Sequence, residues 1–171
     1  MEVSVLPATK TPPGVSVKMS SRYSAPVWLL FRAVIGLLFT FHGAATVFGV
    51  FGGQRGAGQP ADFGSWPDWW AGMIQLLCGG LVATGLGTRV AALLCSGSMA
   101  YAYFIVHQPH GLLPIENGGV SAALYSWSFL IIAALGAGPW SLDAVLRRRR
   151  VGATSAPDQS AGHRDQPAPA T

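Results

Sequence analysis

Four long apolar runs, roughly 27–50, 69–86, 89–107 and 119–138, dominate this chain, and each carries a few polar residues out of keeping with its surroundings. A helix rises 1.5 Å per residue, so each run is about long enough to cross a hydrocarbon core of ~30 Å. Arg32, His42, Gln75, Tyr103, His107 and Tyr125 lie within the runs or at their ends. Polar groups are costly at such depth, and the ones found there are the first candidates for function. The pattern predicts an all-α membrane protein, a four-transmembrane-helix bundle with disordered N- and C-terminal tails.

Charge agrees with this reading. Half of the 171 residues are hydrophobic and only 11% are charged. A soluble domain carries about 25%, enough to give its apolar bulk a wet surface. The net charge of +4 is gathered at the ends, with Lys10, Lys18 and Arg22 before the first run and Arg147, Arg148, Arg149 and Arg150 after the last. Nucleic-acid binding would need basic residues spread over a folded face, so that class is excluded.

Basic residues favour the cytoplasmic side, which predicts that both termini are cytoplasmic. Arg89, in the very short second connection, falls on the same side. The first connection sets Arg55 against Asp62 and Asp68, and the third has no Lys or Arg, so both face outward. Trp66, Trp69 and Trp70 fit the outer interface; Trp28 and Trp140 fit the inner one.

Three segments follow. Residues 1–24, with Pro7, Pro12 and Pro13, read as a disordered cytoplasmic segment lacking the features of a cleavable signal. Residues 25–146 form the membrane domain, and 147–171 a basic and then disordered cytoplasmic tail. Cys78 and Cys95 sit inside runs two and three without a C-x-x-C pair, and read as small buried hydrophobes.

Helical spacing gives each run one polar or small-residue face. Gly36 and Gly43 are seven apart in run one, with Arg32 a turn earlier, His42 adjacent and Thr46 a turn beyond His42. Gly72, Gln75 and Gly79 share a face of run two; Ser96, Ala100, Tyr103 and His107 line up in run three; Ser121, Tyr125 and Ser128 do so in run four. Small residues let helix backbones approach closely, so these faces should turn inward.

Depth then sorts the polar residues into two groups. His42 lies about 15 Å beyond Arg32 along the helix, in the outer half. Gln75, Tyr103, His107 and Tyr125 fall in that half too, and the loop 108–117 brings His110, Glu116 and Asn117 over it. His42, Gln75, Tyr103, His107, Asn117 and Tyr125 are therefore the candidate ligand-binding residues of one outward cavity. Arg32 belongs to the inner half, where Asp143 is the nearest carboxylate, and a structural ion pair of Arg32 and Asp143 shared with Arg89 is expected. The alternative for Arg32 is a membrane-side anion or headgroup site.

Two motifs are set aside. Pro109 interrupts the H-x-x-H of His107 and His110, so no metal site is assigned. The glycines at 52–53, 56 and 58 lack the Gly-Lys-Ser/Thr ending of a phosphate loop and read as a flexible loop.

In order, the chain carries Arg32-x-x-x-Gly36 leading to Phe41-His42-Gly43, Gln75-Leu-Leu-Cys-Gly79-Gly80-Leu, Gly85-Leu-Gly-Thr-Arg89, His107-Gln108-Pro109, Asn117-Gly118-Gly119, and Gly136-Ala-Gly-Pro-Trp-Ser141-Leu142-Asp143. Across about 29–146 it resembles the DoxX family of small four-span bacterial membrane proteins. The resemblance implies a place in the bacterial cytoplasmic membrane and redox chemistry beside the quinone pool, as in subunits of thiosulfate:quinone oxidoreductases. Relatives commonly carry a glutamate where this chain has Gln75 and another where it has Val120, and often a lysine soon after the His-Gly pair, where Ala44 to Val47 hold none. Glutamine and valine cannot relay protons as a carboxylate does, so proton-coupled catalysis is not expected at those positions.

The leading expectation is a redox-associated subunit whose cavity binds a quinone or similar amphipathic molecule, with donors suited to quinone oxygens. No haem pair, iron–sulfur motif or flavin fingerprint is present, so no resident cofactor is assigned and a redox partner protein would supply electrons. On this reading the chain is a subunit of a quinone-linked oxidoreductase rather than a complete enzyme. The alternative is a non-enzymatic membrane scaffold or assembly partner that docks other subunits through its glycine-rich faces. A transporter is disfavoured, since broken-helix repeats are missing from the sequence.

Overall fold

In the computed structural model the described residues, 21–154, are all-helical with no strand. The tails expected to be disordered lie, for 1–20 and 155–171, outside the described residues. Five α-helices follow in order: α1 Ser21–Phe48, α2 Asp68–Thr84, α3 Thr88–Ala102, α4 Val120–Leu135 and α5 Leu142–Thr154. α1 thus starts a turn before the expected end of the N-terminal segment. α5 runs through the four arginines and gives the basic stretch a helical form that hydropathy did not reveal. α3 passes into a π-helical turn, Tyr103–His107, and then a 3-10 turn, Gln108–His110.

Two helical stretches, Tyr23–Phe48 and Thr88–His110, are long and apolar enough to cross a membrane, and Val120–Leu135 is a shorter apolar helix. α2 has 17 residues, about 26 Å of helix. The surface of these helices is inverted relative to a soluble protein. Val27, Leu30, Val90, Leu93, Leu124, Trp127 and Leu135 are each more than half exposed, while Arg32, Gln75, Thr88 and Ser96 are buried. An apolar sheath around a partly polar interior suits a hydrocarbon solvent.

α1 and α2 run antiparallel. Along α1 and α2, Gly36 lies against Gly79 and Ala83, and Gly43 against Gly72 and Leu76. A Cβ on Gly36 would sit 2.6 Å from the Ala83 amide nitrogen, so the two backbones touch where Gly36 lacks a side chain. α3 meets α4 through the Ser96 hydroxyl, which donates to the Ser126 carbonyl at 2.9 Å. The Trp28 indole N–H donates to the Gly136 carbonyl at 3.0 Å and ties the start of α1 to the end of α4.

At the centre Phe39 packs on Phe129 and Tyr125, with ring centroids 4.7 and 5.3 Å apart. Val82, Cys95 and Ile132 belong to this buried core, as does Cys78 of α2, and both cysteines are free thiols.

Candidate functional site

The π-helical turn after α3 and the loops before α2 and α4 leave a cavity of about 570 Å³ at one end of the helices. His42 and Thr46 line it from α1, Trp70, Ile74 and Gln75 from α2, Met99 and Tyr101 from α3, and Ser121 and Tyr125 from α4. His107 enters from the π-helical turn and Trp66 from the preceding loop. The walls are largely apolar, and the few polar groups converge from different helices.

Each polar residue stands differently. Gln75 is buried, and its Oε1 has no hydrogen-bond partner. Amide oxygen and nitrogen are interchangeable by a flip, so the finding is that one end of this buried amide is unmatched. His42 is exposed while lining the cavity, which places it at the mouth. Tyr125 is half-buried, its ring against Phe39 and Phe129. His107 is fixed by contact of its Nδ1 with the Asn117 carbonyl at 3.2 Å.

Of the six candidate ligand-binding residues, four therefore line one cavity: His42, Gln75, His107 and Tyr125. Tyr103 and Asn117 do not line it and instead build its rim. The Tyr103 hydroxyl donates to the Leu112 carbonyl at 3.2 Å. Asn117 donates through Nδ2 to the Gly111 carbonyl and accepts the Gly119 N–H, both at 2.8 Å. Trp70, Met99 and Tyr101 join the lining without having been singled out; Trp70 was legible only as part of an interfacial belt.

Arg32 lies at the opposite end, almost fully buried. Its Nη1 donates to the carbonyls of Val82 and Ala83, and its Nη2 to that of Trp140 at 3.2 Å. The last carbonyls of a helix carry its negative dipole end, so α2 itself matches Nη1, while the buried Nε has no hydrogen-bond partner. Gly85, left-handed at φ +78°, ends α2 and lets Arg32 and Ser141 close in; a Cβ there would meet both below 3 Å.

Asp143 caps the start of α3, accepting the Gly87 N–H at 2.9 Å, the Thr88 N–H at 3.2 Å and the Thr88 hydroxyl at 3.3 Å. Burial would raise its pKa, but these bonds and the nearby Arg32 charge outweigh that and hold the carboxyl below its ordinary range. Arg32 and Asp143 thus attract across one corner while their described hydrogen bonds go to different groups, Arg32 to carbonyls and Asp143 to the α3 start. Arg89 lies over Gly136 beside them.

The DoxX family model matches residues 27–108. An uncharacterized protein of Haemophilus influenzae is 37% identical over 126 residues, which cover 69% of this chain and 90% of that protein. The chain belongs to the DoxX family. It is a DoxX family membrane protein whose matched region holds Arg32, His42, Gln75 and His107, while Asn117, Tyr125 and Asp143 lie beyond it. No solved structure matches the chain.

Proposed function

We propose that this DoxX protein crosses the bacterial cytoplasmic membrane four times, with both termini cytoplasmic, and binds a quinone or similar amphipathic molecule in the cavity. The observation that carries the reading is the unmatched amide of Gln75 in a largely apolar cavity whose few other polar groups include His42, Asp68, His107 and Tyr125. A cavity of about 570 Å³ falls within the ordinary range for small-molecule sites. Glutamine can donate to a quinone carbonyl or, flipped, accept from a hydroquinone hydroxyl, so it serves either redox state. His42, at the mouth, and Tyr125, inside, add further donors.

On this reading α2 and α4 complete the four spans, and the arginines of α5 mark the cytoplasmic side. Electrons come from a redox partner protein, and the chain acts as one subunit. The α1–α2 glycine faces contact each other within the chain, which favours the ligand reading over a scaffold that would dock partners through them.

The test is mass spectrometry of small molecules that co-purify with the protein in mild detergent, beside an equally folded His42→Ala/Gln75→Ala variant. A quinone retained by the native chain and lost from the variant supports the site. Equal retention, or none by either protein, contradicts it.

A further inference from the structure

A second hollow, of about 300 Å³, opens at the end opposite the cavity, between the start of α3, the end of α4 and the start of α5. Arg89, Arg147, Asp143 and the backbone of 136–138 line it. Its charges are unbalanced. Both Asp143 oxygens are turned to the start of α3, at Gly87 and Thr88. Neither Arg89 nor Arg147 has a hydrogen bond or ion pair among the described residues. The Ser141 hydroxyl is committed, donating to the Gly138 carbonyl at 2.9 Å and accepting the Ala144 N–H at 3.2 Å.

Two unpaired guanidiniums therefore face one concave polar space. Gly136 is part of the reason: a Cβ there would lie 3.1 Å from the Arg89 Nε. A guanidinium is a planar fork of donors that matches the oxygens of a phosphate. Leu135, which lines the hollow, is 65% exposed, and Trp140, one residue before the lining residue Ser141, is 57% exposed. A polar site for an anion bordered by exposed apolar side chains has the character of a phospholipid rather than a soluble ion.

We propose that this hollow binds a phosphate group, held by Arg89 and Arg147 and supplied by an anionic phospholipid. Basic hollows on the cytoplasmic side of membrane helices attract anionic headgroups, each basic residue adding to the affinity. The site is separate from the cavity and rests on the topology proposed above, but not on what the cavity binds.

The full chain in detergent is titrated with phosphatidylglycerol and with phosphatidylcholine, and adducts are counted by native mass spectrometry. The double variant Arg89→Gln/Arg147→Gln should retain about tenfold less phosphatidylglycerol than the native chain. Arg148→Gln/Arg149→Gln, which removes the same charge outside the hollow, should lose much less phosphatidylglycerol than Arg89→Gln/Arg147→Gln does. The native chain should also prefer phosphatidylglycerol to phosphatidylcholine, a comparison that holds even if the double variant fails to fold. Inorganic phosphate at millimolar concentration is then added: failure to displace the lipid supports the lipid source. Phosphate binding that depends on Arg89 and Arg147 without lipid retention would keep the anion site and overturn the lipid. No loss in Arg89→Gln/Arg147→Gln, equal loss in both double variants, or equal binding of the two lipids would overturn the proposal.

Discussion

Gly43 of α1 lies against the backbone of Leu76 of α2 so closely that no Cβ fits between them. His42 precedes this contact by one residue and Gln75 precedes its partner by one. The glycine contact therefore sets the spacing of two cavity-lining residues that lie far apart in sequence.

Gly43→Leu should force α1 from α2 and lower stability by about 3 kcal/mol, since the clash is with backbone and no side chain can yield. Gly97 on α3 meets nothing within 4 Å, so Gly97→Ala should be neutral or stabilising by up to about 1 kcal/mol through helix propensity. Thermal unfolding of both variants in detergent checks the pair; similar melting temperatures would contradict the packing.

Arg32→Met should be among the most damaging single changes, by about 3–5 kcal/mol, because it strips buried carbonyls of their charged donor. Arg32→Lys should recover only part of the loss, since one ammonium lacks the fork that reaches both α2 and Trp140. Folded yield by size-exclusion chromatography orders the three proteins.

Asp143 makes the corner sensitive to acid. Its folded pKa is depressed, so its stabilisation is fully present above the ordinary carboxylate pKa of about 4 and is lost as pH falls through the lower folded value. Melting temperature measured from pH 7 down to 3 should drop at the acid end, and Asp143→Asn should reduce that drop. An identical pH profile for the variant would exclude Asp143 as its source.

The sequence and the structure agree most where helical spacing governs. The shared face of Gly72, Gln75 and Gly79 is buried, as is Ser96, and four of six candidate residues reach one cavity. Spacing along a helix says nothing about how a loop folds back, which is why Tyr103 and Asn117 bond to the 111–119 loop and not to the cavity. Charge counting pointed Arg32 at Asp143. The carbonyls it bonds converge only because Gly85 turns the chain left-handed at the end of α2. α5 was illegible because four consecutive arginines give no apolar periodicity.

Gln75 separates a binding site from a packing residue. Gln75→Met keeps the side-chain shape and removes an amide with an unmatched buried end, so the empty protein should gain stability, by about 1 kcal/mol. The same variant should lose most of the thermal stabilisation that an added quinone gives the native chain. A destabilised Gln75→Met protein would mean that the amide is structurally satisfied.

The most direct measurement is a titration of the protein in nanodiscs with a short-chain quinone, read by quenching of the cavity tryptophans Trp66 and Trp70. Saturable quenching is expected, reduced in Trp66→Phe/Trp70→Phe and weakened about tenfold in Gln75→Met by loss of a buried hydrogen bond. Quenching that rises linearly with quinone, or is the same in Gln75→Met, would contradict a quinone site in this cavity.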